Sequence, residues 1–111
     1  MIRSTRAPEV VTDAFVAVSD LTVPVAGRAA LVAAFGHRLG AVDAWPGFRS
    51  LQVWADPADA TALVMVSWWD TEEAFSAYMR SDDHRQSHAR IPGGPDRARP
   101  RRFRRYTVIA R

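Results

Sequence analysis

Apolar and β-branched side chains fill residues 14–23, and Pro24 ends the run, which predicts a first strand. Alternation would put Phe15, Ala17, Ser19 and Leu21 on one face and Val16, Val18, Asp20 and Thr22 on the other. From about residue 25 to 44 the period changes. Leu31, Phe35, Leu39 and Val42 recur at helical spacing, giving an amphipathic helix that Trp45-Pro46-Gly47 stops. A second strand is expected over residues 48–55, a turn over 56–60, and a third strand over 61–69 that is apolar on both faces, as a covered central strand should be.

A second helix is expected at once, with Asp70 as its cap, Glu73 completing a capping-box-like pair, and Phe75, Tyr78 and Met79 as its buried face. Helical turns continue over residues 82–91, continuous with that helix or kinked from it, until Pro92-Gly93-Gly94-Pro95. An arginine-rich loop then leads to a last strand over 103–110.

The order β-α-β-β-α-β is that of an α+β, ferredoxin-like split βαβ fold, a four-stranded antiparallel sheet with helices on one face. Its other face would lie bare and apolar, and a second copy of the chain is the expected cover, giving a homodimer. Residues 1–12 carry no period and are expected to form a loose arm, with 13–111 as a single domain.

Composition narrows the function more than the fold. With 111 residues the chain has room for one core layer, so a large pocket must lie between elements or between subunits. The absence of cysteine removes disulfides, thiolate metal sites and cysteine nucleophiles. No apolar run approaches the roughly 18–20 residues of a membrane span, and the first residues lack a signal-peptide pattern, so a cytoplasmic protein is expected. The net charge is only +3. Arginines cluster between Arg97 and Arg105, but Phe103 and Tyr106 among them fall on opposite strand faces, which argues against a nucleic-acid stacking platform. Anchoring of carboxylates suits these arginines better. No phosphate loop, dinucleotide fingerprint or Ser-His-Asp spacing is present.

Three segments in order then resemble the antibiotic biosynthesis monooxygenase family. They are Trp45-Pro46-Gly47-Phe48, the stretch from Ser67-Trp68-Trp69-Asp70 to Phe75, and Ser81-Asp82-Asp83-His84-Arg85-Gln86-Ser87-His88. The resemblance covers roughly residues 14–110. It implies a dimeric α+β barrel and an oxygenase, either heme-binding and heme-degrading or free of any cofactor and acting on aromatic polyketide-type substrates. A dimer that only binds heme or another small aromatic ligand is the non-enzymatic alternative.

The resemblance also implies site residues. His88 would be the ligand of a heme iron, a role that suits a neutral imidazole, and it shares a helical stripe with His84 and Ile91. A surface histidine favoured by the helix dipole is the plainer alternative. Trp69 and Ser19 are the candidate catalytic positions. Trp68 and Trp69 must point opposite ways, one beneath the helices and the other toward a cavity or a partner, and Trp69 is expected to be the cavity residue. Ser19 departs from the pattern, because heme-degrading members carry asparagine there. Phe15, Met65, Phe75, Tyr78 and His84 are expected to line the substrate pocket, with Ser19, Tyr78 or arginine donors stabilising a substrate anion in a cofactor-free reaction. His84 and His88 at i, i+4 would also suit a divalent ion, but no third ligand is evident, so no metal other than heme iron is expected.

Overall fold

A computed structural model describes residues 12–36, 42–89 and 91–111. It contains β1 (Phe15–Thr22), α1 (Val25–Gly36), β2 (Phe48–Asp56), β3 (Asp59–Trp69), α2 (Glu72–Met79), α3 (Asp82–His88) and β4 (Arg99–Thr107). The sheet order is β2-β3-β1-β4 with every neighbouring pair antiparallel, an α+β ferredoxin-like fold. The arm expected over residues 1–12 lies almost wholly outside the described residues, as does Leu39. No described helix is long and apolar enough to cross a membrane.

Alternation in the two central strands divides the core. Phe15, Ala17 and Trp69 pack with Phe75 and Tyr78 of α2, while Leu63 packs with Leu31 of α1. The opposite side of the same strands carries Val16, Val18, Val66 and Trp68, with no described helix over them. The described helices therefore cover one face only. Trp54 and Tyr106 stand about half exposed on the strands that flank the bare face.

Four boundaries differ from the sequence expectation, each for a local reason. α1 is described as helix only to Gly36, and Val42 sits in a turn. That turn, with Trp45 N–H on the Val42 carbonyl, still brings Val42 into the aromatic core, so the apolar spacing outlasts the helix. The cap of α2 is Thr71, not Asp70. Thr71 has extended backbone and its hydroxyl accepts the Ala74 N–H at 3.1 Å. Asp70 is held elsewhere: its N–H binds the Gly47 carbonyl at 2.7 Å and its carboxylate meets Arg49 Nε at 2.5 Å.

Ser81 separates α2 from α3. Its hydroxyl donates to the Tyr78 carbonyl at 2.6 Å and accepts the His84 N–H at 3.1 Å, so one side chain closes one helix and opens the next. β4 begins at Arg99, before the expected Phe103, and ends at Thr107. Pro100 is tolerated because β4 is an edge strand, bonded only to β1, with a register shift beside it. β3 likewise starts two residues early, at Asp59, after a tight turn in which Asp56 accepts the Ala58 N–H.

Gly47 is a position where the backbone leaves little choice. Its φ is +84°, and a Cβ there would lie 2.6 Å from the Ala74 Cβ. Both the left-handed conformation and the close approach of α2 require glycine. Gly47→Ala should therefore destabilise the protein by about 2–4 kcal/mol in a denaturant titration, combining left-handed strain with overpacking. A loss below about 0.5 kcal/mol would show that the turn relaxes freely.

Candidate active site

The helix-side face of the sheet alternates large and small side chains. Trp69 and Met65 are large, whereas Ala17, Ser19 and Ser67 are small. Above the small ones the helices do not close down, and a cavity of about 420 Å³ remains. That is within the range of small-molecule sites. α2 supplies Phe75, Tyr78 and Met79 to its wall, α3 supplies His84, Ser87 and His88, and α1 supplies Ala34 and Phe35. The space lies within one chain, between its helices and its sheet.

Trp69 anchors this wall. It is 2% exposed, and its indole N–H donates to Ser67 Oγ at 2.9 Å, so its polar edge is satisfied inside the core. Phe48, Phe75 and Tyr78 surround the ring at centroid distances of 5.2, 5.6 and 5.6 Å. Tyr78 continues the chain of rings to His84 at 5.3 Å, and His84 to His88 at 5.9 Å. Trp68 points to the other side of the sheet, where it meets Trp54 at 6.4 Å. The sequence reading separated a residue beneath the helices from a residue facing the cavity. In the fold these coincide, because the cavity is beneath the helices.

Among the described residues that line the cavity, the ionisable ones are Tyr78, His84 and His88. Burial holds His84 below the ordinary histidine range, and the neighbouring His88 adds to this, against a smaller opposing contribution from the Met79 carbonyl. Burial and His88 both favour the neutral form of the His84 imidazole. No group of three or more His, Cys, Asp or Glu side chains is gathered for a metal ion among the described residues.

Ser19, Met65, Trp69, Phe75, Tyr78, His84 and His88 all line the cavity. Phe15 does not: it is buried behind Phe75, at a centroid distance of 5.3 Å, and supports the wall without forming it. Phe103 lines the cavity instead, stacked on Phe75 at 5.8 Å with 13° between the planes. Its role follows from register, since it pairs with Ser19 across β1 and β4. The alternation of β4 was legible, but which face met the helices was not. Phe35, Leu51 and Ile91 also contribute, each from a different element or loop.

Such a site can bed a flat aromatic molecule on apolar surface and present imidazole nitrogens as metal donors or proton acceptors. Ser19 contributes a hydroxyl on the cavity floor.

Comparison with known proteins agrees with this architecture. Residues 14–90 match the family model described as antibiotic biosynthesis monooxygenase. A heme oxygenase (staphylobilin-producing) of Staphylococcus saprophyticus is 31% identical over 51 residues, which are 44% of this chain and 49% of that protein. The match thus spans about half the length of this curated relative. Among solved structures, SnoaB of Streptomyces nogalater, a cofactor-independent oxygenase, superimposes with a TM-score of 0.74 at 14% identity, covering 90% of this chain and 97% of that one. MhuD of Mycobacterium tuberculosis, a heme-degrader solved with two hemes bound in its active site, gives 0.71 at 24% identity, covering 87% and 97%. At these identities the two structures are evidence of the shared fold.

Proposed function

The chain belongs to the antibiotic biosynthesis monooxygenase family, and from that membership we propose that it binds heme in the cavity through His88 and acts on it as an oxygenase. The observation that carries this reading is the position of His88: an imidazole in the wall of an apolar, ring-lined cavity free of carboxylates among the described residues. The donor set fits the group. A neutral imidazole suits heme iron, and the aromatic and aliphatic walls suit the porphyrin plane. The partial match to a staphylobilin-producing heme oxygenase supports the same reading.

When bound, heme would supply an iron centre able to activate dioxygen, with its own macrocycle as the substrate. The chain's residues do the rest. His88 fixes the iron, while Phe75 and Tyr78 offer ring surfaces braced by Trp69. Ser19 offers one hydroxyl donor, where the resemblance implies an asparagine amide in heme-degrading members.

A second reading has its own support in the partly buried His84 beside Tyr78, whose imidazole burial biases toward the neutral form. Such an imidazole can take a proton from an electron-rich aromatic substrate, whose anion then reacts with dioxygen without a cofactor. The fold similarity to SnoaB is consistent with it.

Titration with hemin distinguishes the two. Wild-type protein should give a saturable Soret shift, and His88→Ala should weaken binding at least about tenfold, the size expected for loss of a metal ligand. Ascorbate and oxygen then reveal whether bound heme is consumed. An identical Soret spectrum and affinity in His88→Ala would reject the iron-ligand role. Oxygen uptake on an anthrone without any cofactor would favour the second reading.

The homodimer belongs to the same proposal. Val16, Val18, Val66 and Trp68 form an apolar patch on the helix-free face, with exposed Trp54 beside it, and a second copy offers a matching patch. The charged pair on this face, Asp20 and Arg104 at 2.9 Å, is already matched within the chain. Sedimentation should show a dimer at micromolar concentration, and Trp54→Asp should shift it at least about tenfold toward monomer, as for an aromatic anchor lost from an interface. A wild-type monomer would reject the proposal.

A further inference from the structure

Arg105 occupies a place that neither the fold nor the iron-ligand reading uses. It sits on β4 directly across from Ala17, and two residues from Phe103, which pairs with Ser19. Ala17, Ser19 and Phe103 all line the cavity. Side chains paired across antiparallel strands share a face, so Arg105 stands on the cavity side of the sheet. Its guanidinium carbon lies 5.6 Å from the centroid of the Phe103 ring. Phe103 is in turn 45% exposed on an edge strand, which makes this the border between the cavity and solvent.

Among the described residues the carboxylate paired with Arg105 is that of Glu72, with Oε2 at 3.5 Å, and both side chains are at least half exposed. An exposed pair at that distance contributes little, so the guanidinium is free to turn to another anion. Among the described residues that line it, the interior next to Arg105 offers an anion only imidazole, indole and hydroxyl groups. β4 itself carries five arginines and no acidic residue. An aromatic ligand with a negatively charged substituent thus finds a place for its ring inside and a place for its charge at Arg105.

We propose that Arg105 makes the cavity selective for planar aromatic ligands bearing a carboxylate, held at the Phe103 border while the rings lie inside. This deepens the reading of the cavity as an aromatic-binding site but does not depend on heme. A heme propionate and the carboxylate of an aromatic acid present the same group to Arg105.

Fluorescence titration with 9-anthracenecarboxylate and its neutral counterpart 9-anthracenemethanol tests the assignment at low ionic strength. Wild-type protein should bind the carboxylate about fivefold more tightly than the alcohol, a modest advantage suited to an exposed charge-assisted contact. Arg105→Gln should remove that advantage and leave alcohol binding unchanged. Glu72→Gln, which frees the guanidinium from its competitor, should increase the advantage. Arg99→Gln, which removes the same charge at the far end of β4, should leave it intact. Equal binding of the two probes by wild type, retention of the preference in Arg105→Gln, or an equal loss in Arg99→Gln would overturn the proposal. Failure of both probes to bind would overturn it together with the aromatic cavity. Hemin that does not bind, beside a carboxylate preference that vanishes in Arg105→Gln, would remove only the heme reading. Hemin and its dimethyl ester, compared in the same variants, separate the heme source of the carboxylate from the aromatic-acid source.

Discussion

The spacing between α2 and the sheet depends on the rings stacked around Trp69. With its N–H on Ser67 and Phe48, Phe75 and Tyr78 around it, the indole fills the space at one end of the layer. Further along the strands the floor drops to Ala17 and Ser19, too small to reach the helices that the rings hold up. Close packing would normally remove such a gap. Here it persists because its rim is rigid aromatic surface, and the cavity follows from it. So does the short polar helix α3, which the Ser81 double cap turns so that His84 and His88 border the same space.

Period-2 alternation and the break residues made the strand order and the split βαβ topology legible in the sequence. Less legible was anything decided by a choice between near-equal local options. Asp70 and Thr71 can both cap a helix, and the cap fell to Thr71 because the Asp70 N–H and carboxylate are committed to Gly47 and Arg49. The arginine-rich segment before Phe103 reads as a loop, yet it pairs as strand because an edge position accepts Pro100. Phe15 and Phe103 show the same limit in the site. Both alternate correctly, but only the register between strands tells which ring backs the wall and which forms it.

Few of the described side chains at the site are able to carry chemistry. Histidines on α3 border the cavity, His84 partly buried and His88 exposed, and a guanidinium stands at the Phe103 edge, with rings and aliphatic surface between them. This pattern suits a flat, electron-rich molecule with a charged edge, a description that heme and aromatic acids share. The family membership makes oxygen chemistry the expectation, and Ser19 places a hydroxyl on the cavity floor. A heme-degrader and a cofactor-independent oxygenase share this fold, so the architecture does not choose between them, and in the proposed reading the choice falls to His88.

Ser19→Leu tests the cavity most directly, because it adds apolar volume at the floor beside Phe103 and away from the rings packed on Trp69. If the space is open, the larger side chain enters it and the free energy of unfolding, measured in denaturant, stays level or rises by about 1 kcal/mol. A loss of about 1–3 kcal/mol, the mark of overpacking, would mean that the helices already rest on the sheet and that the space is closed.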